Sequence, residues 1–206
     1  MNLDQFSKKQ ILEDTFKLQY LFGLKNVIRY NQSRDVSDLS ESVAEHLYGM
    51  MLLVQFFLPL EDPSGKWNKA RIHELITLHD IDEIETGDIL GWAKTAEHRE
   101  AEAFAFNEVL RKSPHSMLPH LQLCYREYKD QITAEAQFVK AIDKIEPFFQ
   151  IYNERGRILL HDCKTTADCS LRIKTPYIEQ FPYIKKFAAV IHEMLIEGGY
   201  YWEEEV

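Results

Sequence analysis

The sequence has little of what marks a repetitive, linker-rich or disulfide-built chain. Glycine and proline number 8 and 7 in 206 residues. With no low-complexity tract and no internal repeat, a repeat array is excluded. The three cysteines, Cys124, Cys163 and Cys169, contain no C-x-x-C pair and leave an odd count. That speaks against a disulfide framework and for a reduced, cytoplasmic setting. Runs of alternating polar and apolar residues, the mark of half-buried strands, are missing. The uninterrupted apolar runs look far too short to cross a bilayer, and no charged-then-apolar segment opens the chain. The expectation is a soluble protein with no membrane partner. Cations are also in deficit, 24 Lys and Arg against 33 Asp and Glu, for a net charge of −9. Such a balance offers no footprint for nucleic acid, whereas a small phosphorylated molecule needs only one or two cations in a pocket.

What is present is apolar and helical. Hydrophobic residues make up 45%, enough for a sizeable core in a single domain over 1–206. Apolar positions recur near a 3.6-residue period over 3–24, and the polar stretch 25–39 that follows reads as a loop. Ser42 and Glu45 have capping-box spacing, which predicts a helix from there to about Leu58. Further helices are predicted from Trp67 through the His79 region, over 95–111, 118–129 and 133–153, and as an extension over 178–197 that stops at Gly198-Gly199. The polar segment 154–176 reads as irregular and inert. The fold class is all-α, with seven or more helices.

The chemistry concentrates in Leu75-Ile76-Thr77-Leu78-His79-Asp80-Ile81-Asp82-Glu83. An apolar run delivers an adjacent imidazole and carboxylate, and continued helix would bring Glu83 onto their face. This is half of a metal site with a proton-handling acid beside it. His46, beside the apolar stripe of the second helix, and Asp143, an acid within an apolar stripe, are the candidates for the remainder. A buried carboxylate is costly unless a cation sits next to it. Singly each signal is weak: a lone helical histidine is usually a packed or solvated residue, and His161-Asp162 shows that the dipeptide also arises in a polar stretch. The ordered set of His46, His79-Asp80, Glu83 and Asp143 is what carries the reading.

With these residues in order, the sequence resembles the HD-domain phosphohydrolases. Glu45-His46, the run His79-Asp80-x-x-Glu83-x-x-Thr86-Gly87-Asp88 and Glu135-Ala136-x-Phe138-Val139-Lys140-x-x-Asp143 are similar to the 5′-deoxynucleotidase branch, over about 21–149. The resemblance implies that His46, His79, Asp80 and Asp143 hold one divalent ion (Mn²⁺, Co²⁺, Zn²⁺, Fe²⁺ or Mg²⁺). It implies that Glu83 and Asp88 form the acid pair and that Arg29 grips the phosphate of a nucleoside 5′-monophosphate. Tyr30 stands where bacterial relatives commonly carry Trp. Gly91-Trp92-Ala93-Lys94 falls on the substrate-contacting segment, with Lys94 matching a basic residue there and Gly91 and Trp92 departing from the pattern. Members of this type are typically homodimers, and Phe104, Phe106 and Phe187 are candidates for spare apolar surface. Triphosphate removal, cyclic-diester cleavage and a non-catalytic nucleotide-binding module are the competing readings. His98, His115 and His120 read as surface residues, and Cys163 and Cys169 beside His161 fit no common zinc spacing.

Overall fold

The computed structural model describes residues 16–18, 20–29, 41–91, 93–152 and 154–203. Most of the helix expected over 3–24, most of the loop over 25–39 with Tyr30 and Arg34, and Trp92 lie outside the described residues. The helices are α1 (Val43–Glu61), α2 (Lys69–Leu78), α3 (Glu83–Thr86), α4 (Ala96–Lys112) and α5 (Leu118–Asp130). They continue with α6 (Ala134–Ile151), α7 (Glu154–Asp162), α8 (Ala167–Arg172), α9 (Thr175–Ile178) and α10 (Pro182–Glu197). Short 3₁₀ turns run over Phe22–Asn26 and His115–Met117. Among the described residues, extended pairing is confined to one antiparallel bridge, Ile28 with Ser42. The fold is all-α, as expected.

Polar residues at the starts explain where these helices begin. The Ser42 hydroxyl accepts from the Glu45 N–H at 3.3 Å while the Glu45 carboxylate accepts from the Ser42 N–H at 2.7 Å. The capping box is thus closed. Asn68 and Thr133 cap α2 and α6 with a side-chain acceptor, and Thr95 caps α4 with a second capping box. The cap on α4 uses His98, which gives that histidine a structural role.

Helix α6 is the hub, packed against α1, α2, α5, α7, α9 and α10. Its Phe138, Val139, Ala141, Ile142, Ile145 and Phe148 are fully buried, and a helix apolar on so many sides belongs in the interior. Two carboxylates, Asp143 and Glu146, go inside with it.

Five expectations are corrected. The third helix does not run through the motif. It ends at Leu78 with His79 as its cap, and tight turns (Ile81 N–H to Leu78 O, Glu83 N–H to Asp80 O) lead into α3. Asp80 and Asp82, whose short polar side chains compete with the helical ladder, mark the break. Second, the 154–176 segment folds into α7, α8 and the start of α9 rather than irregular chain, because Leu160 and Ile178 are buried in the core cluster. Third, the last helix starts at Pro182, a residue suited to a first turn, and α9 is separate. Fourth, Phe106 is buried and stacked on Tyr125 at 3.6 Å, whereas Phe104 is exposed and Phe187 packs on Phe57 at 5.2 Å. Fifth, α1 is long and apolar enough to cross a membrane by length and hydropathy. Its Met50, Val54 and Phe57 are nonetheless fully buried in the core.

Candidate metal centre

Two helices and a turn bring the site together. His46 comes from the second turn of α1, His79 and Asp80 from the turn that ends α2, and Asp143 from the middle of α6. Ligand atoms of His46, His79 and Asp143 lie within 4.8 Å of one another. Asp80 sits against this trio, its Oδ2 at 2.9 Å from His79 Nε2. His46 and His79 are buried, and the Nε2 of each has no hydrogen-bond partner among the described residues.

The other ring nitrogen fixes how each imidazole is used. His79 Nδ1 lies 2.9 Å from the Ile76 carbonyl, which can only accept, so the proton is on Nδ1 and the Nε2 lone pair points into the site. The 2.9 Å contact of that nitrogen with the Asp80 carboxylate is favourable only with a positive charge between them, a proton or a metal ion. His46 Nδ1 lies 2.7 Å from Glu146 Oε2. Glu146 is ionised, because burial, which opposes ionisation, is overcome by His46 and Arg29, which lower its pKa. A carboxylate can only accept here, so Nδ1–H donates. Arg29 Nη1, 2.8 Å from the same nitrogen, gives its hydrogens to Glu41 at 2.8 Å and Glu146 at 3.3 Å. Both histidines therefore present Nε2, each backed by an acceptor, as metal-binding imidazoles do.

The charges agree with this. Burial works against a charged His46, but the Asp143 and Glu146 carboxylates outweigh it and raise its pKa to about 9. Burial likewise opposes ionisation of Asp143, yet Lys144 and Lys140 hold it well below the ordinary carboxylate range. Its Oδ2 receives Tyr128 Oη at 2.9 Å and faces Lys140 and Lys144 at 3.1 Å each. Its Oδ1 is turned to His46 Nε2 at 3.5 Å. The Asp80 pKa is lowered too, with His79 overcoming the effect of burial. Two imidazole nitrogens turned toward two ionised carboxylates, where an ion can replace a proton, fit a divalent cation.

Around this centre the acid pair shares a cavity wall with Ala93. Glu83 is buried with Oε2 unpartnered among the described residues, and burial, then the charges of Asp80 and Asp88, push its pKa well above the ordinary range. Lys94 is bonded to Glu102 at 2.7 Å and still acts through space to lower the Glu83 pKa. A second cavity, on the Asp143 side, is lined by Arg29, Gly91, Lys144 and Lys174 among others. Of the predicted residues, Tyr30 and Trp92 lie outside the described set. Arg29 lines the second cavity and also backs His46, with Glu41 and Glu146 on its Nη1.

Several contributors escaped the sequence reading. Glu146 lies three residues after Asp143, a same-face spacing that could have signalled it, and Lys140 stood in the motif without a role. Glu41, Tyr128, Lys144 and Lys174 carried no local signal. Outside the centre, His120 groups with Glu74 and Cys124, while Arg71 donates to the Cys124 sulfur at 3.0 Å. His115, His161 and Asp162 are exposed.

A family model described as HD domain matches residues 22–184. A 5′-deoxynucleotidase of Xenopus laevis is 34% identical over 113 residues, 53% of this chain and 53% of that protein. One of Schizosaccharomyces pombe is 32% identical over 118 residues, covering 54% and 57%. The chain spans about half the length of the curated relatives it matches. A crystal structure of a predicted metal-dependent phosphohydrolase from Magnetospirillum magnetotacticum MS-1 superposes with a TM-score of 0.78, covering 96% of this chain and 99% of that one at 19% identity. An HD-domain phosphohydrolase from Listeria innocua gives 0.62, 89%, 90% and 22%. At such identities the likeness is one of fold.

Proposed function

Since this chain belongs to the HD-domain family, we propose that it is a metal-dependent phosphohydrolase whose substrates are deoxynucleoside or nucleoside 5′-monophosphates. The observation that carries this reading is the pair of buried Nε2 atoms of His46 and His79, without a hydrogen-bond partner among the described residues, facing Asp143 and Asp80. The relatives named 5′-deoxynucleotidase support the choice of substrate class. His46, His79, Asp80 and Asp143 would hold one divalent ion, and Mn²⁺, Co²⁺, Zn²⁺, Fe²⁺ and Mg²⁺ are its candidates. Bound there, such an ion polarises a phosphoryl oxygen and makes water a better nucleophile.

The chain's own residues do the rest. Burial, then the charges of Asp80 and Asp88, push the Glu83 pKa well above the ordinary carboxylate range and favour its protonated form. Glu83 is therefore the group to protonate the leaving 5′-oxygen, as a raised carboxyl is suited to do. Asp88, in the same cavity wall, receives the proton of the attacking water. Lys94 keeps Glu83 within reach of ionisation after it has given up its proton. Glu146 and Arg29 hold the His46 ring in place. Pro147, Ile151 and Leu159 give the Arg29 cavity an apolar wall that suits a sugar and base and excludes water from the phosphate.

The protein works in a reduced cytoplasmic setting, consistent with its free cysteines. It pairs with a second copy through Tyr48, Leu52 and Phe56, which form an exposed apolar ridge on α1 at four-residue spacing. Nucleic acid and membranes are not among its partners. The test is a phosphate-release screen of purified protein, loaded in turn with Mn²⁺, Co²⁺ and Mg²⁺, against deoxy- and ribonucleoside monophosphates, triphosphates and cyclic dinucleotides. Preference for monophosphates is expected. Release from triphosphates or cyclic dinucleotides alone would replace this reading with another HD-type activity.

A further inference from the structure

Among the described residues, one cation in the Arg29 cavity has no carboxylate. Arg29 is paired with Glu41 and Glu146, and Lys144 with Asp143. Lys174, which lines the same cavity from the start of α9, is 6% exposed. Within the described set its Nζ donates only to Ser170, to the carbonyl at 3.3 Å and the hydroxyl at 3.1 Å, and lies 4.6 Å from the Phe148 ring centroid. Ser170 is itself held by Tyr201 Oη at 3.4 Å, and Tyr201 by His192 at 2.7 Å. A hydrogen-bonded chain thus fixes an ammonium group in a buried place among neutral partners.

That placement is unfavourable on its own. A buried charge without a counter-ion loses its hydration uncompensated, and burial, followed by the repulsion of Lys144, lowers the Lys174 pKa to about 7. An anion entering the cavity would remove the penalty. Arg29, the phosphate grip expected from the sequence, spends its Nη1 hydrogens on two carboxylates, Glu41 and Glu146. Lys174 brings to the same cavity a charge that no carboxylate among the described residues offsets. Asp143 borders the same cavity and is close enough to raise the Lys174 pKa through space. The ammonium and the metal-holding carboxylate thus face one anion-sized space.

We infer that Lys174 is a phosphate-contacting residue, supplied by the C-terminal helices, that binds the substrate's phosphoryl group from the side opposite the acid pair. The inference rests on the reading of this site as a phosphohydrolase and adds a residue from beyond the motif-bearing stretch 21–149. It also gives α8 and α9 a role in binding, since the packing of this segment on α6 delivers one charge into the cavity.

The experiment is a calorimetric titration of inorganic phosphate into the metal-loaded full chain, for the wild type, Lys174→Met, Lys174→Gln and Lys174→Arg. Lys174→Met keeps the stem and should keep the fold, since replacing a buried charge by an apolar chain of similar length is well tolerated. Metal content should be unchanged. Phosphate affinity should fall roughly 10- to 100-fold, the scale of one lost charge-assisted hydrogen bond. With the best nucleotide, KM should rise in step while kcat stays within about threefold, and Lys174→Arg should recover part of the loss. If Lys174→Met does not fold, Lys174→Gln carries the same reading. Phosphate affinity within twofold of wild type in the folded variant, or no phosphate binding by the metal-loaded wild type, overturns the assignment. A wild type that binds phosphate through Lys174 yet hydrolyses no nucleotide leaves the assignment standing and removes the substrate reading instead.

Discussion

At the scale of single residues, a proton and a metal compete for His46 Nε2. With burial opposing and Asp143 and Glu146 prevailing, the metal-free ring has a pKa of about 9 against an unfolded value near 6.5. A raised pKa contributes stability that is complete below the unfolded value and is lost as pH climbs through the folded one. The metal-stripped protein should therefore have a lower Tm at pH 9 than at pH 6.5 from this group. Metal affinity should move the other way, tightening over the same window, because binding expels the proton. Calorimetry in buffers of different ionisation enthalpy would count the proton released; an affinity that does not change with pH would contradict the assignment. Two substitutions separate assembly from chemistry. Asp143→Ala should abolish metal retention by elemental analysis, whereas Glu83→Ala should keep the metal and lose about 10²–10⁴-fold in turnover, the scale of general acid–base groups. Arg29→Ala should weaken metal binding by about 10- to 100-fold, because it releases the carboxylates that orient His46.

At the scale of elements, α1 and α6 approach closely because of a glycine. A Cβ on Gly49 would lie 2.6 Å from Glu146 Oε1. Glu146 cannot yield without leaving His46 Nδ1, which it holds at 2.7 Å. Gly49→Ala, normally favourable in a helix, should here weaken metal affinity by about 10- to 100-fold while circular dichroism stays unchanged. An unaffected metal affinity would show that Glu146 can be re-seated without loss. Capping is a separate, purely structural matter. Ser42→Ala opens the capping box of α1 and should cost about 1 kcal/mol in urea unfolding.

At the scale of the whole molecule, metal and fold are linked through α6, which carries both the core's centre and Asp143. An ion that binds only the folded chain stabilises it by mass action. Chelation should therefore lower Tm, and readdition of Mn²⁺ or Co²⁺ should restore it. The Tyr48–Leu52–Phe56 ridge sets a second expectation at this scale. Light scattering at micromolar concentration should give twice the chain mass, and Leu52→Glu should give the monomer.

How much of this could be read from the chain follows from the range of each interaction. Ser42 with Glu45 and Thr133 with Ala136 act across three residues, so the starts of α1 and α6 were legible in the sequence. The helical class followed from periodicity, which is also local. The ligand set His46, His79, Asp80 and Asp143 was legible as an ordered pattern, and the fold brings those residues together. What surrounds them was not. Glu146 reaches His46 across 100 positions and Arg29 reaches Glu146 across 117, and no local spacing announces such contacts. The break after Leu78 depends on a turn whose Asp82 is buried against Tyr125 and Lys129. Of the helices over 154–178, α7 and α9 pack on α6, and α8 packs on α9 and α10. Sequence alone thus determined the helical class and a candidate set of metal donors. Tertiary packing decided which imidazole nitrogen faces the site, that Arg29 backs His46, and that Lys174 enters the cavity, because each is fixed by burial beside partners remote in the chain.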